Sequence, residues 1–155
     1  MTLSDDALLD TIQRETLSYF TDFAHPASGM ARERSNPDPN YDYLETVCTG
    51  GTGMGVMALL AGVARGFLAR EEAQQRVVRI VGFLGRADRF HGVFPHFLHG
   101  GTGATIPFTE KDDGGDIVET SFLMMGLLCA RQYFDGRSAE EAELRGAIDR
   151  LWHAV

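Results

Sequence analysis

Long apolar runs are missing from this chain: no window approaches the roughly 20 consecutive apolar residues that cross a bilayer, which argues against a membrane protein. Cysteine is scarce. The two thiols, Cys48 and Cys129, lie far apart, each in an apolar or glycine-rich context, so neither a disulfide framework nor a Cys-ligated metal site is indicated. Both are expected to be buried. Basic charge is short as well, with 14 Lys and Arg against 22 Asp and Glu and a formal net charge of −8. Nucleic-acid backbones and anionic membranes need a basic patch, so a neutral partner suits the chain better. A secretory leader is not expected either, because Met1-Thr2-Leu3-Ser4-Asp5-Asp6 is acidic where such a leader is basic. The expectation is a cytoplasmic protein.

What remains fits one domain over residues 1–155, a length that can bury a sizeable core. Ser4 can cap a first helix in which Leu8, Leu9, Ile12, Thr16, Tyr19, Phe20 and Phe23 recur at helical spacing. His25-Pro26 ends it, and the stretch to Asn40, with Gly29, Pro37 and Pro39, reads as a long loop. The run Thr49-Gly50-Gly51-Thr52-Gly53-Met54-Gly55 reads as a second loop. Val56 to Ala64 then follows as a helix apolar on every side. Gly66 fits its C-cap, and a third, amphipathic helix opens at Arg70-Glu71-Glu72 with Val77, Val78, Ile80, Val81, Phe83 and Leu84 on one face. Residues 88–115 break helicity and suggest a small β-hairpin. Ile117 to Phe134 is again apolar nearly all round, and Ser138 with Glu141 offers a capping box for a last amphipathic helix.

Amphipathic and apolar helices thus alternate, and Glu71-Glu72-Ala73 echoes Glu140-Glu141-Ala142. The implied repeat is a helical hairpin. An all-α protein follows, built of (α/α)6 toroid-type hairpins, with the apolar helices forming an inner ring whose preceding loops gather at one end. Only about two and a half hairpins fit in the chain, so the expected toroid is incomplete and the chain an N-terminal fragment of a larger one. Exposed inner helices would then favour self-association.

The most chemically loaded stretch is Lys111-Asp112-Asp113-Gly114-Gly115-Asp116-Ile117-Val118-Glu119. Asp116 and Glu119, three apart at a helix start, would share a face with Cβ atoms about 5–6 Å apart. The helix dipole favours an ionised Glu119, whereas burial and the Asp116 charge favour its protonation, as a general acid requires. Glycoside hydrolysis needs a second carboxyl across the scissile bond, and two groups on one helix face do not flank anything. One of the pair is therefore expected to be the acid and the other to tune it or hold sugar hydroxyls. Simple N-capping by Asp116 is the plain alternative.

A different reading takes Asp112-Asp113-x-x-Asp116 as the magnesium–diphosphate motif of all-helical isoprenoid synthases. Those motifs sit inside a helix, where paired glycines cost about 2 kcal/mol relative to alanine, so this reading ranks lower. The hairpin offers Phe94, Phe97 and Phe108 beside His91, His96 and His99, a mixture that suits the apolar and hydroxylated faces of a sugar. Their spacing lacks a matched ligand pair for zinc, and neither metal nor cofactor is expected.

Five motifs in order carry a family resemblance: Ala31-Arg32-Glu33-Arg34-Ser35, Thr49-Gly50-Gly51-Thr52-Gly53, Phe90-His91-Gly92, Phe94-Pro95-His96, and Asp112-Asp113-Gly114-Gly115-Asp116-x-x-Glu119-Thr120. Over nearly its whole length the chain resembles the glucoamylase-like domain of bacterial endo-β-1,2-glucanases and cyclic β-1,2-glucan synthases. The resemblance implies an (α/α)6 toroid acting as a glycoside hydrolase on β-1,2-linked glucan, with an oligosaccharide or polysaccharide as substrate. It implies active-site acids at Asp116 and Glu119, and cleft-lining positions at Arg32, Arg34, His91 and His96. Phe94, Phe97, Asp112 and Asp113 join them as substrate-binding candidates. The family domain is longer, its opposing carboxylate is expected downstream, and its hydrolases are often exported. A catalytically silent sugar-binding or remnant domain is the competing expectation.

Overall fold

The computed structural model describes residues 3–35 and 44–155. Pro37, Pro39 and Asn40 of the expected long loop, and Met1 and Thr2, lie outside the described residues. The described residues form five helices and three short strands in the order α1 (Asp5–Thr21), β1 (Thr46–Cys48), α2 (Thr49–Ala64), α3 (Arg70–Leu84), β2 (Phe97–His99), β3 (Thr105–Ile106), α4 (Ile117–Tyr133) and α5 (Ala139–Ala154). Among the described residues no helix is long and apolar enough to cross a membrane.

Helix α1 starts as its sequence dictates. Ser4 Oγ accepts from Ala7 N–H at 3.3 Å, and Asp5 and Asp6 sit where the helix dipole favours anions. Leu17 and Phe20 pack on α2 at Gly62 and Gly55, where an added Cβ would meet them at 2.7 and 2.6 Å. Leu8, Leu9 and Ile12 stay exposed.

Helix α2 corrects the sequence expectation. The glycine-rich run is not a loop but the first two turns of the helix, capped by Cys48, whose Sγ accepts from Gly51 N–H at 3.4 Å. Packing against α4 at Gly50 and Gly53, and against Phe20 of α1 at Gly55, explains why glycines costing about 1 kcal/mol each are helical here. A Cβ on Gly53 would lie 2.0 Å from Phe122 O, and one on Gly126 would lie 2.2 Å from Gly53 O. Only helices lacking side chains at the crossing can approach so closely. Gly50 faces Glu119 while Gly53 faces Phe122 and Gly126, so α2 and α4 run parallel and start at one end.

The outer pair obeys different rules. Helices α3 and α5 bury Val77, Ile80, Val81, Phe83, Leu144, Ile148 and Leu151 and turn charge outward, whereas Val78, expected on the same face of α3, is exposed, because it is one residue round the helix from Val77. Arg70 of α3 forms an ion pair with the buried Glu141 of α5, and Arg131 of α4 pairs with Asp149 of α5. The Arg70 guanidinium holds the Glu141 carboxyl below the usual range, assisted by Gly136 N–H. The expected capping box is half realised. Ser138 Oγ accepts from Glu141 N–H at 3.2 Å, whereas the Glu141 carboxylate turns to Gly136 N–H and Arg70.

These two hairpins, α2–α3 and α4–α5, form an arc of the incomplete (α/α)6 toroid type, with α2 and α4 inside. The inner helices are not buried all round as expected. Ile117, Val118, Phe122 and Met125 leave an apolar stripe open on α4, and Cys129 on the same helix is exposed rather than buried. The hairpin at 88–115 is present, with Phe97 opposite Ile106 and Leu98 opposite Thr105. Strand β1, which the sequence did not announce, adds to its other edge with Cys48 opposite Phe97. Because β1 runs straight into α2, this small sheet ties the N-terminus of an inner helix to the His96–Phe97 segment.

Candidate functional site

The site is assembled where the inner helices begin. Asp116 is the N-cap of α4 and not a member of its first turn; Oδ1 accepts from Val118 N–H at 2.9 Å and Glu119 N–H at 3.0 Å. Its Oδ2 faces His96 Nδ1 at 3.0 Å. Capping is therefore a real role of Asp116, and both of its oxygens are engaged. Its own N–H donates to Phe94 O at 2.8 Å, which fixes the start of α4 against the segment leading to β2.

Glu119 turns away from Asp116 toward α2. Its Oε2 accepts from Gly50 N–H at 2.7 Å and from the Cys48 thiol at 3.2 Å. Oε1 has no hydrogen-bond partner among the described residues. A Cβ on Gly50 would sit 2.7 Å from Oε2, so a glycine is required there for the carboxylate to reach the helix end. The pair that sequence spacing placed on one face thus splits: one carboxylate is spent on α4, and the other spans the inner seam.

Around them His96 stacks on Phe108 with centroids 4.4 Å apart and planes 13° from parallel, and Phe97 closes the group at 5.6 Å from Phe108. Phe108 is exposed and Phe97 half-buried, so this aromatic surface is available to a flat apolar ligand face. Asp112 lies close enough that its carboxylate, His96 and Asp116 each offer a donor atom within 4.8 Å of the others. Asp113 is exposed beside it. The Asp112-Asp113-x-x-Asp116 segment precedes α4, which begins at Ile117, so it lacks the helical frame of the isoprenoid-synthase motif.

Other expected residues fall elsewhere. Phe94 is fully buried and cannot stack on a sugar; Thr120 Oγ1 holds its N–H at 2.9 Å and bonds its carbonyl at 3.2 Å, which draws the ring into the core. Arg32 is committed locally: Nε donates to Leu44 O at 2.8 Å and Nη1 to Phe23 O at 3.0 Å, with the guanidinium over the Phe23 ring. Arg34 is exposed and pairs with Glu33. His91 is exposed, in the left-handed region at φ 51°, with its ring against Phe90 and not against His96. Cys48 and Gly50 are the residues that sequence reasoning missed, since nothing in a separation of 71 or 69 positions announces a partner for Glu119.

Cys48, His96 and Glu119 also bring donor atoms within 4.8 Å of one another. Burial, with a smaller contribution from the Glu119 carboxylate, pushes the Cys48 thiol up to about 12 against the opposing pull of Gly51 N–H. It is therefore a neutral thiol that donates toward Glu119. In the second set His96 and Asp116 are already bonded to each other. Two concavities among the described residues, about 720 Å³ between α3 and α5 and about 780 Å³ between α4 and Trp152, are lined by none of Cys48, His96, Asp112, Asp116 and Glu119.

Comparison with known proteins places this arrangement. No protein-family model matches the chain. It is 47% identical over 154 residues to an exo β-1,2-glucooligosaccharide sophorohydrolase (non-reducing end) of Parabacteroides distasonis, covering 99% of this chain and 21% of that protein. Among solved structures, an endo-β-1,2-glucanase of Chitinophaga pinensis in complex with sophorotriose and glucose superposes with a TM-score of 0.95 at 51% identity. The match covers 99% of this chain and 37% of the other. A β-1,2-glucanase of the same Parabacteroides distasonis superposes with a TM-score of 0.91 at 46% identity, over 99% of this chain and 22% of that one. The resemblance read from the five motifs therefore stands, and the chain spans between about a fifth and two fifths of the length of these relatives.

Proposed function

We propose that this chain forms one wall of the active site of a glycoside hydrolase acting on β-glucan, and more finely on β-1,2-linked glucan. The observation that carries the reading is the asymmetric grip on Glu119: Oε2 is held by two donors and Oε1 is left open, beside an aromatic surface of Phe97, His96 and Phe108. That is what a carboxylic general acid needs, a fixed group with one oxygen aimed at the leaving glycosidic oxygen. The named activities of the relatives support the substrate class. Glu119 is the acid in this scheme, Asp116 positions it by starting α4, and Asp112, Asp113 and the aromatic group hold the sugar. The opposing base or nucleophile stands on a segment facing this wall.

The test is release of short oligosaccharides from linear β-1,2-glucan, comparing wild type with Glu119→Gln. General-acid loss lowers turnover about 10²–10⁴-fold; an undiminished rate in Glu119→Gln would sink the assignment. A second reading, a catalytically silent sugar-binding domain, is favoured by the engagement of both Asp116 oxygens, Oδ1 in capping and Oδ2 with His96. Calorimetry showing oligosaccharide binding with no product after long incubation would select it. The apolar stripe of α4 supports self-association as well, and a clean monomer at high concentration in sedimentation equilibrium would count against that.

A further inference from the structure

Glu119 belongs to α4, yet what fixes its carboxyl comes from the end of β1 and the first turn of α2. We propose that Cys48 is a positioning residue for Glu119: its S–H, together with Gly50 N–H, pins Oε2 and makes Oε1 the oxygen that bears the carboxyl proton or meets a sugar hydroxyl. The consequence for substrate rests on the hydrolase reading above; the contact itself does not.

The sulfur is well placed to hold rather than merely touch. Sγ lies 3.2 Å from Oε2 and accepts from Gly51 N–H at 3.4 Å, so it is fixed from behind while it donates forward. Its backbone N–H is anchored on Ala31 O at 2.9 Å, and the residue is paired across the sheet with Phe97. An oxygen with two donors aimed at it has its lone pairs occupied and is a poor place for a proton. Whenever the carboxyl carries a proton, that proton therefore sits on Oε1. Partial burial pushes this half-buried thiol up to about 12, so the S–H donor persists through neutral and mildly alkaline pH.

A capping role alone would use only the acceptor side of the sulfur; positioning uses the donor side, and the two are separable. With Cys129→Ser, an exposed site outside this cluster, Cys48 is the sole thiol, and its S–H stretch can be read in an infrared window clear of other protein bands. The expected band lies below that of a free thiol and rises when Glu119→Ala removes the acceptor. A band that does not move on Glu119→Ala overturns the proposal. The second readout is side-chain NMR relaxation of the Glu119 methylenes, expected rigid in wild type and Cys48→Ser. In Cys48→Ala the order parameter should fall below about 0.6, the level of flexible groups; a Glu119 that stays as rigid in Cys48→Ala as in wild type also overturns it. Neither readout needs substrate, so either can fail while the hydrolase reading survives, and the reverse. Where β-1,2-glucan is turned over, Cys48→Ala lowers kcat about tenfold with KM held, one hydrogen bond's worth of barrier, and Cys48→Ser restores it. An unchanged kcat in Cys48→Ala counts against the proposal.

Discussion

The inner seam between α2 and α4 and the outer seam between α3 and α5 hold the same two hairpins together by opposite means. Inside, contact is made by leaving side chains out: Gly53 and Gly126 bring backbone against backbone. Outside, contact is made by adding them, with interleaved aliphatic residues and a charged rim in which Arg70 meets Glu141. The difference teaches that glycine means two things in this chain. On α3, Gly82 has nothing within 4 Å of where a Cβ would be, and its lack of a side chain serves no packing role.

Gly53→Ala should break the comparison most severely, because its Cβ would stand 2.0 Å from Phe122 O on a neighbouring backbone that cannot swing aside. Overpacking of this kind costs about 3 kcal/mol or more, readable as a lower midpoint in urea unfolding; a loss under about 1 kcal/mol would mean the seam is looser than described. Glu141→Gln should destabilise less, and with a pH signature. A carboxyl held below its usual range by Arg70 stabilises the fold above the unfolded value of about 4.3, and that contribution drains away as pH falls through and below it. Wild type should therefore lose its advantage over Glu141→Gln on acidification, and a difference independent of pH between 6 and about 3 would refute the ion pair's role. Gly82→Ala carries the smallest effect and the opposite sign, a gain of about 0.5–1 kcal/mol from helix propensity in open space. Any destabilisation there would show that the outer seam, too, depends on a missing side chain.

Helix α3, the Ser4 and Ser138 caps and the hairpin were legible because each rests on local rules: periodicity, a capping hydroxyl, glycines at a turn. The glycine run at the head of α2 misled for the same reason. Local propensity reads Gly50, Gly51, Gly53 and Gly55 as loop, while the partners that press on them, α4 at Gly50 and Gly53 and Phe20 of α1 at Gly55, lie far along the chain. Phe94 was legible as aromatic but not as buried, since its fate is set by Thr120 holding its backbone. Arg32 likewise gave no sign that its guanidinium would close on the carbonyls of Leu44 and Phe23. Of the site, spacing revealed the two carboxyls and the neighbouring His96 and Phe97; it did not reveal the direction in which Glu119 turns.

That direction has a kinetic consequence. The hydrogen bonds from Cys48 and Gly50 to Glu119 join positions 71 and 69 apart, so neither hairpin contains the arrangement by itself. The entropy of closing a loop of that length must be met before the contact can form, and the carboxyl should acquire its orientation only in the step that docks the two hairpins. A folding intermediate with both hairpins formed but undocked would show native helix content and a freely rotating Glu119, which makes that side chain a reporter of docking itself.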